Sequence, residues 1–257
     1  MQEQQRSIWR RRAIFFTAAL LPFGALRAQA DSLLAQAGGI AGRIDGSGKI
    51  VDEERNLAGF SRLIVQGPLR VRVQAADVDR VVVHADDNIA PLIETAVQGG
   101  ALVIGVRSGT YFRTESGVRV LVQARKLHGV VLRGSGDVRA DRIEAEVFEA
   151  TLQGSGDISI ESLRAGAVAV SIAGNGDFRA AGTAGSVGVV IDGSGDVHCA
   201  DLVAQQVAVR IGGSGDARVH ATGELKVDID GSGAVRYRGT PKISKSIRGS
   251  GSVEPLR

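Results

Sequence analysis

The chain has 257 residues, room for one domain or two small ones, with 44% hydrophobic residues, 35 glycines and a formal net charge of +3. A single cysteine, Cys199, excludes an intrachain disulfide and a cysteine-rich zinc site. Of 31 Lys+Arg and 28 Asp+Glu, five and one fall in the first thirty residues, so 26 and 27 remain beyond them and no basic block marks a nucleic-acid partner.

Residues 1–30 read as a signal peptide. Arg10, Arg11 and Arg12 form a basic start, residues 13–26 an apolar run too short to span a bilayer, and Ala28-Gln29-Ala30 a cleavage signature. Export by the general or the twin-arginine route fits equally. The mature protein is expected in the periplasm or outside the cell, cleaved after Ala30 and without a transmembrane anchor. Residues 31–43 read as a flexible leader, and 44–257 as a single domain, irregular over 44–127 and regular over 128–257.

In the irregular part, Ile44-Asp45-Gly46-Ser47-Gly48 resembles the later repeats, and Leu63 and Val65 precede Gly67 as apolar residues precede the repeated glycines. Alternating residues at 69–73, 80–84, 101–106 and 118–123 predict strands. Residues 88–98 read as a loop with one helical turn starting at Pro91. Residues 108–117 read as an exposed loop, and Tyr111, Phe112 and Arg113 make it the candidate binding loop.

From 128 onward one pattern repeats. The first glycine of a Gly-Ser-Gly-Asp motif falls at 134, 154, 174, 193 and 213, with weaker copies at 231 and 249. A period near twenty indicates stacked supersecondary units. Two residues before each glycine stand Leu132, Leu152, Ile172, Ile191, Ile211, Ile229 and Ile247. Four before stand Val130, Ala150, Val170, Val189, Val209, Val227 and then Lys245; six before stand His128, Phe148, Val168, Val187, Val207, Leu225 and Ile243. This is a strand with one inward face. A second strand follows each turn, with Val138, Ile158, Phe178, Val197, Ala217 and Val235 inward. Cys199 shares the next inward column with Ala140, Ile160, Ala180 and Val219, so it reads as a core residue.

Two strands per unit and no helical period predict an all-β parallel β-helix, a solenoid of ~20-residue coils stacked ~4.8 Å apart. The glycines then turn the corners by adopting positive φ, Asn175 tolerates the same conformation, and each Asp closes its turn through a backbone N–H.

On these residues the chain resembles the head GIN domain family, labelled as auto-transporter adhesins. The likeness runs from about Gly46 to Val253 and includes GSGKIVDEERNLAGFSRLIVQGPLRVRV, DNIAPLIETAVQGGALVIGV and ARKLHGVVLRGSGDV. It implies an exported bacterial β-helical domain, with no catalytic residues and no cofactor to carry over.

Two readings of the Asp column (Asp137, Asp157, Asp177, Asp196, Asp216) compete. It could hold Ca²⁺, although the nine-residue Ca²⁺-binding repeat places its Asp differently. Or it caps turns and pairs with the neighbouring column of Arg139, Ser159, Arg179, His198, Arg218 and Arg236, the reading the spacing favours. No histidine sits in a nucleophile motif, and a serine repeated in every coil is unlike a single nucleophile. The expectation is a non-catalytic binding or structural module of the cell envelope, adhesin-like, with a glycan or surface component as partner. The alternatives are a carbohydrate-active β-helix enzyme, a lyase or hydrolase, and a scaffold that self-assembles through its ends.

Overall fold

The structure is a computed structural model that describes residues 43–256. The expected signal peptide and residues 31–42 of the leader lie outside the described residues. Among them the strands run, in chain order, β1 (Ile44–Asp45), β2 (Ile50–Arg55), β3 (Arg62–Gln66), β4 (Arg70–Ala75) and β5 (Arg80–Asp86). A 3-10 turn, Ala90–Leu92, precedes β6 (Ile93–Gln98), β7 (Ala101–Val106), β8 (Phe112–Arg113) and β9 (Arg119–Ala124). The regular part holds β10 (Gly129–Gly134), β11 (Asp137–Gly154), β12 (Ile158–Gly174), β13 (Phe178–Gly193), β14 (Val197–Ile211), β15 (Ala217–Gly231), β16 (Ala234–Arg238), β17 (Lys242–Gly249) and β18 (Ser252–Pro255).

The expected solenoid is present. Leu132, Leu152, Ile172, Ile191 and Ile211 are register partners in succession, and all are buried. The stack extends down through Ile229 to Ile247 and up through Val65 to Ile104. Each coil therefore buries the same slot as its neighbours, and the aliphatic piles join into one core.

Each unit holds more strand than the sequence pattern suggests. In β11 the inward residues are Val138 and Ala140, then Ile143 and Ala145, then Phe148, Ala150 and Leu152. The step is two within each group and three between groups. A strand that skips a beat has rotated its inward face, so each coil has three sides, meeting at the glycine turn and at two gentler bends. The middle side is rich in small and polar residues, which hid it from a search for alternation.

The glycines serve two purposes. The first glycine of the motif takes positive φ in six of the seven copies, Gly213 excepted, from 113° at Gly249 to 157° at Gly193. The second is there for space: a Cβ on Gly156 would stand 1.9 Å from the carbonyl oxygen of Gly136, in the coil above. Asn175 does not use the left-handed region, since no described non-glycine residue has positive φ.

The two ends differ. At the N-terminal end the coil of β7 and β9 lies outside that of β3 and β4, although it comes later in the chain. Antiparallel strands cover it: β6 pairs with β7, β5 with β9 and β2 with β5. The strand β6 replaces most of the loop expected at 88–98. At the C-terminal end, among the described residues, β17 pairs only with β15 and β18 only with β16, which leaves their outer edges uncovered.

Two expected inward residues face out. His128 is exposed while Leu127 beside it is buried, because the chain enters β10 through a corner. Ile243 is 39% exposed in the last described coil, beneath which no described strand pairs. The upstream Ile44-Gly48 turn is also not a rung of the stack: Ile44 pairs with Phe112 in a separate two-stranded sheet.

Candidate functional site

The outer surface of the first side of each coil is built by two columns that alternate with the buried ones. One is the Asp column. The other runs Arg72, Arg139, Ser159, Arg179, His198, Arg218, Arg236, each the register partner of the next. Both columns exist because the chain leaves each glycine turn in the same phase.

The turns consume their own donors. The N–H groups of Ser155 and Gly156 both donate to the Gly134 carbonyl, at 2.9 and 3.1 Å, and the same pair of bonds recurs at Asn175 and Gly176 on Gly154. These N–H groups are therefore not available to an anion.

The Asp carboxylates bond between coils rather than within a turn. Asp177 N–H donates to the Asp157 carboxylate at 3.0 Å, Asp196 N–H to Asp177 at 3.0 Å, and Asp216 N–H to Asp196 at 2.8 Å. Ala234 N–H ends the ladder on Asp216 at 2.9 Å. At its upper end Asp137 N–H donates to the Leu69 carbonyl instead. Carboxylates spaced ~4.8 Å apart repel by roughly 0.9 kcal/mol per pair in water. Charge-assisted bonds from the main chain offset that repulsion, helped by Arg179 on Asp177 at 3.1 Å and Arg236 on Asp216 at 3.0 Å. Side-chain pairing within the surface was legible in the sequence; the bond from one coil to the next was not.

Ligand atoms of Asp177, Asp196 and His198 lie within 4.8 Å of one another. Their bonding is already committed. An arginine can only donate, so the 3.1 Å contact between Arg218 and His198 Nδ1 makes Nδ1 the acceptor. In the neutral ring the proton then sits on Nε2, 3.7 Å from Asp177. Nε2 in that tautomer has no lone pair for a cation.

A shallow groove of about 530 Å³ opens beside these residues, lined by Arg179, His198, Ala200, Asp201, Arg218, Arg238 and Leu256. Arg238 pairs with Asp201 at 2.7 Å, and both are largely exposed. Arg218 bonds to His198, and among the described residues no carboxylate pairs with it. Arg179, His198 and Arg218 were expected on this face. Arg238, Asp201, Ala200 and Leu256 were not singled out, because the groove gathers residues from four successive coils and from Leu256 beyond β18.

The candidate loop at 108–117 lies elsewhere, in the sheet of β1 and β8. Phe112 is half-buried against the core, so it anchors the loop. Tyr111 is 70% exposed, and Arg113 is exposed. Asp86, almost fully buried, ties the loop down by accepting bonds from Thr114 Oγ1 and from Gly48 N–H at 2.7 Å. The Thr114 hydroxyl is the main cause that holds the Asp86 carboxyl below its ordinary value. Cys199 is buried, and that burial pushes its thiol up to about 12.

The same fold occurs in solved proteins. A "putative adhesin" from Bacteroides fragilis is 24% identical, with a TM-score of 0.80 over 83% of this chain and 100% of its own. A "putative lipid binding protein" from Parabacteroides distasonis is 25% identical, with a TM-score of 0.71 over 84% of this chain and 100% of its own. A "putative adhesin" from Parabacteroides merdae is 20% identical, with a TM-score of 0.68 over 84% and 99%. No curated protein matches the chain. The family model described as "Putative auto-transporter adhesin, head GIN domain" matches residues 59–241, which spans the stack from just before β3 to the end of β16. The chain belongs to that adhesin-like head GIN domain family.

Proposed function

We propose that the chain is an exported, non-catalytic binding module of the bacterial cell envelope that adheres to a surface polymer. The observation that carries this reading is the Asp ladder, whose carboxylates accept main-chain N–H groups from one coil to the next. A general acid or base must exchange protons with a substrate. Carboxylates engaged in this way hold the coils together and leave a rigid face that displays groups instead of turning over a ligand. Family membership and the adhesin neighbours support the same reading. The signal-peptide features of residues 1–30 support export to the periplasm or the cell exterior.

The test is retention of the purified chain on immobilised envelope and mucosal polysaccharides, with the bound polymer assayed for new reducing ends and unsaturated sugars. Retention without chain cleavage is expected. Release of shortened products would sink the non-catalytic reading and favour a lyase or hydrolase.

A further inference from the structure

We propose that the groove around Arg218 binds an acidic polysaccharide with sparse charge, about one oxyanion per disaccharide. The inference deepens the adhesin-like reading and rests on it for the ligand being a polymer.

Arg218 is the first observation. It is half-buried on the groove wall, its hydrogen bond goes to His198 Nδ1, and among the described residues no carboxylate pairs with it. A guanidinium has five donors in a planar fork suited to a carboxylate or sulfate. The bond to His198 uses one of them and holds the group in place.

Spacing is the second. Arg179, whose side chain is exposed where it pairs with Asp177, and Arg218 sit in one column with His198 between them. Two rungs of a parallel ladder span roughly 10 Å, close to the repeat of a glycan that carries one acid per disaccharide. Arg238 borders the same groove, and its partner Asp201 is exposed, so a ligand oxyanion can take the place of Asp201. Ala200 and Leu256 give the groove small apolar surfaces on which the C–H face of a sugar ring can rest.

The neighbouring charges set the density of the ligand. Asp177, Asp196 and Asp216 flank the arginine column, and beyond residue 30 the chain carries 27 acidic against 26 basic residues. A nucleic acid or an anionic membrane, charged at every unit, would meet these carboxylates as well as the arginines. A polymer with one acid per two sugars meets Arg179 and Arg218, two rungs apart, while Arg236 on the next rung is held by Asp216.

The experiment is calorimetric titration of the purified chain with hyaluronan hexasaccharide, which carries one carboxylate per disaccharide. Oligogalacturonate, dextran sulfate and neutral dextran serve as comparisons. Hyaluronan is expected to bind best, with affinity falling as salt rises. Arg218→Ala is expected to weaken it at least tenfold, and Arg218→Lys by less, both without change in melting temperature. Tighter binding of oligogalacturonate or dextran sulfate, both charged at every sugar, overturns the sparse-charge assignment. Binding that Arg218→Ala leaves intact, or that Tyr111→Ala removes instead, overturns the site while leaving the adhesin-like reading standing. Stronger binding to neutral dextran, or no binding to any acidic oligosaccharide by a chain still retained on polysaccharide surfaces, overturns the ligand class alone. Absence of all surface retention counts against the adhesin-like reading, and direct hyaluronan binding would survive it.

Discussion

The main-chain N–H of Asp216 donates to the carboxylate of Asp196, twenty residues back and one coil away, at 2.8 Å. The side chain of one turn thus satisfies the backbone of the next. Replacing Asp196 with Ala leaves a half-buried N–H without its acceptor, at a cost of about 1–3 kcal/mol. Asn keeps a carbonyl oxygen in reach and should lose less. Urea denaturation of the two variants against the parent protein checks the order.

Steric position separates the glycines. Gly156→Ala places a methyl 1.9 Å from the Gly136 carbonyl and should destabilise by about 3 kcal/mol or more. Gly48→Ala meets no atom within 4 Å and carries only the strain of φ 77°, about 1–2 kcal/mol. Ser155, exposed between two glycines, should tolerate Ala within about 0.5 kcal/mol. Thermal melting of the three variants is the measurement.

Cys199 should be inert to thiol reagents in the native protein at pH 8 and react fully once unfolded. Burial raises its folded pKa to about 12, above the unfolded value of about 9. The unfolded chain then binds fewer protons than the folded one between those values, and stability falls as pH rises through that window. At pH 10 the loss is roughly 1.4 kcal/mol. Cys199→Ala should remove this part of the alkaline decline.

Asp79 predicts the opposite limb. Burial pushes its carboxyl up, but N–H groups of Gly59 and Arg125 and the Arg125 guanidinium outweigh burial and hold it below the ordinary range. Its contribution is complete above about pH 4 and is lost as pH falls through the folded value. The stability gap between the parent and Asp79→Asn should therefore narrow from pH 5 toward pH 2. A gap independent of pH would show that the charge of Asp79 is immaterial.

Lys245 stands in the slot that Val227 and Val209 fill in the coils above, and there it is exposed. A charge at an inward position of an edge strand discourages pairing with another chain. Lys245→Val should produce concentration-dependent association in sedimentation experiments, with no loss of melting temperature in dilute protein.

The coil stack was legible because the slot two residues before each glycine is filled by Leu or Ile seven times over. Leu152 and Ile172 announce a shared environment that neither announces alone. The third side was not legible: Ala145, Ala165 and Ala184 line it, and alanine signals neither an inside nor an outside. His128 and Ile243 were misplaced because a column assumes neighbours on both sides, an assumption that fails at a corner and at the last rung. The strand order at the N-terminal end was equally hidden, since β7 and β9 come after β3 and β4 in the chain but lie outside them in space. Of the site, the Asp and Arg columns were readable from their period, whereas the groove depends on Arg238 and Leu256 arriving from separate parts of the chain.

The stacked glycines also constrain how such a rod can change length over generations. One-residue differences in coil length are taken up near the bends, where the register shifts between Ile160 and Leu163 and between Arg179 and Ala181, so the glycines and inward slots beyond stay in phase. Duplication or loss of a whole twenty-residue unit leaves each glycine beneath another glycine. The reach of the molecule can therefore be adjusted in steps of one rung, with the chemistry of each rung free to vary on its outer face.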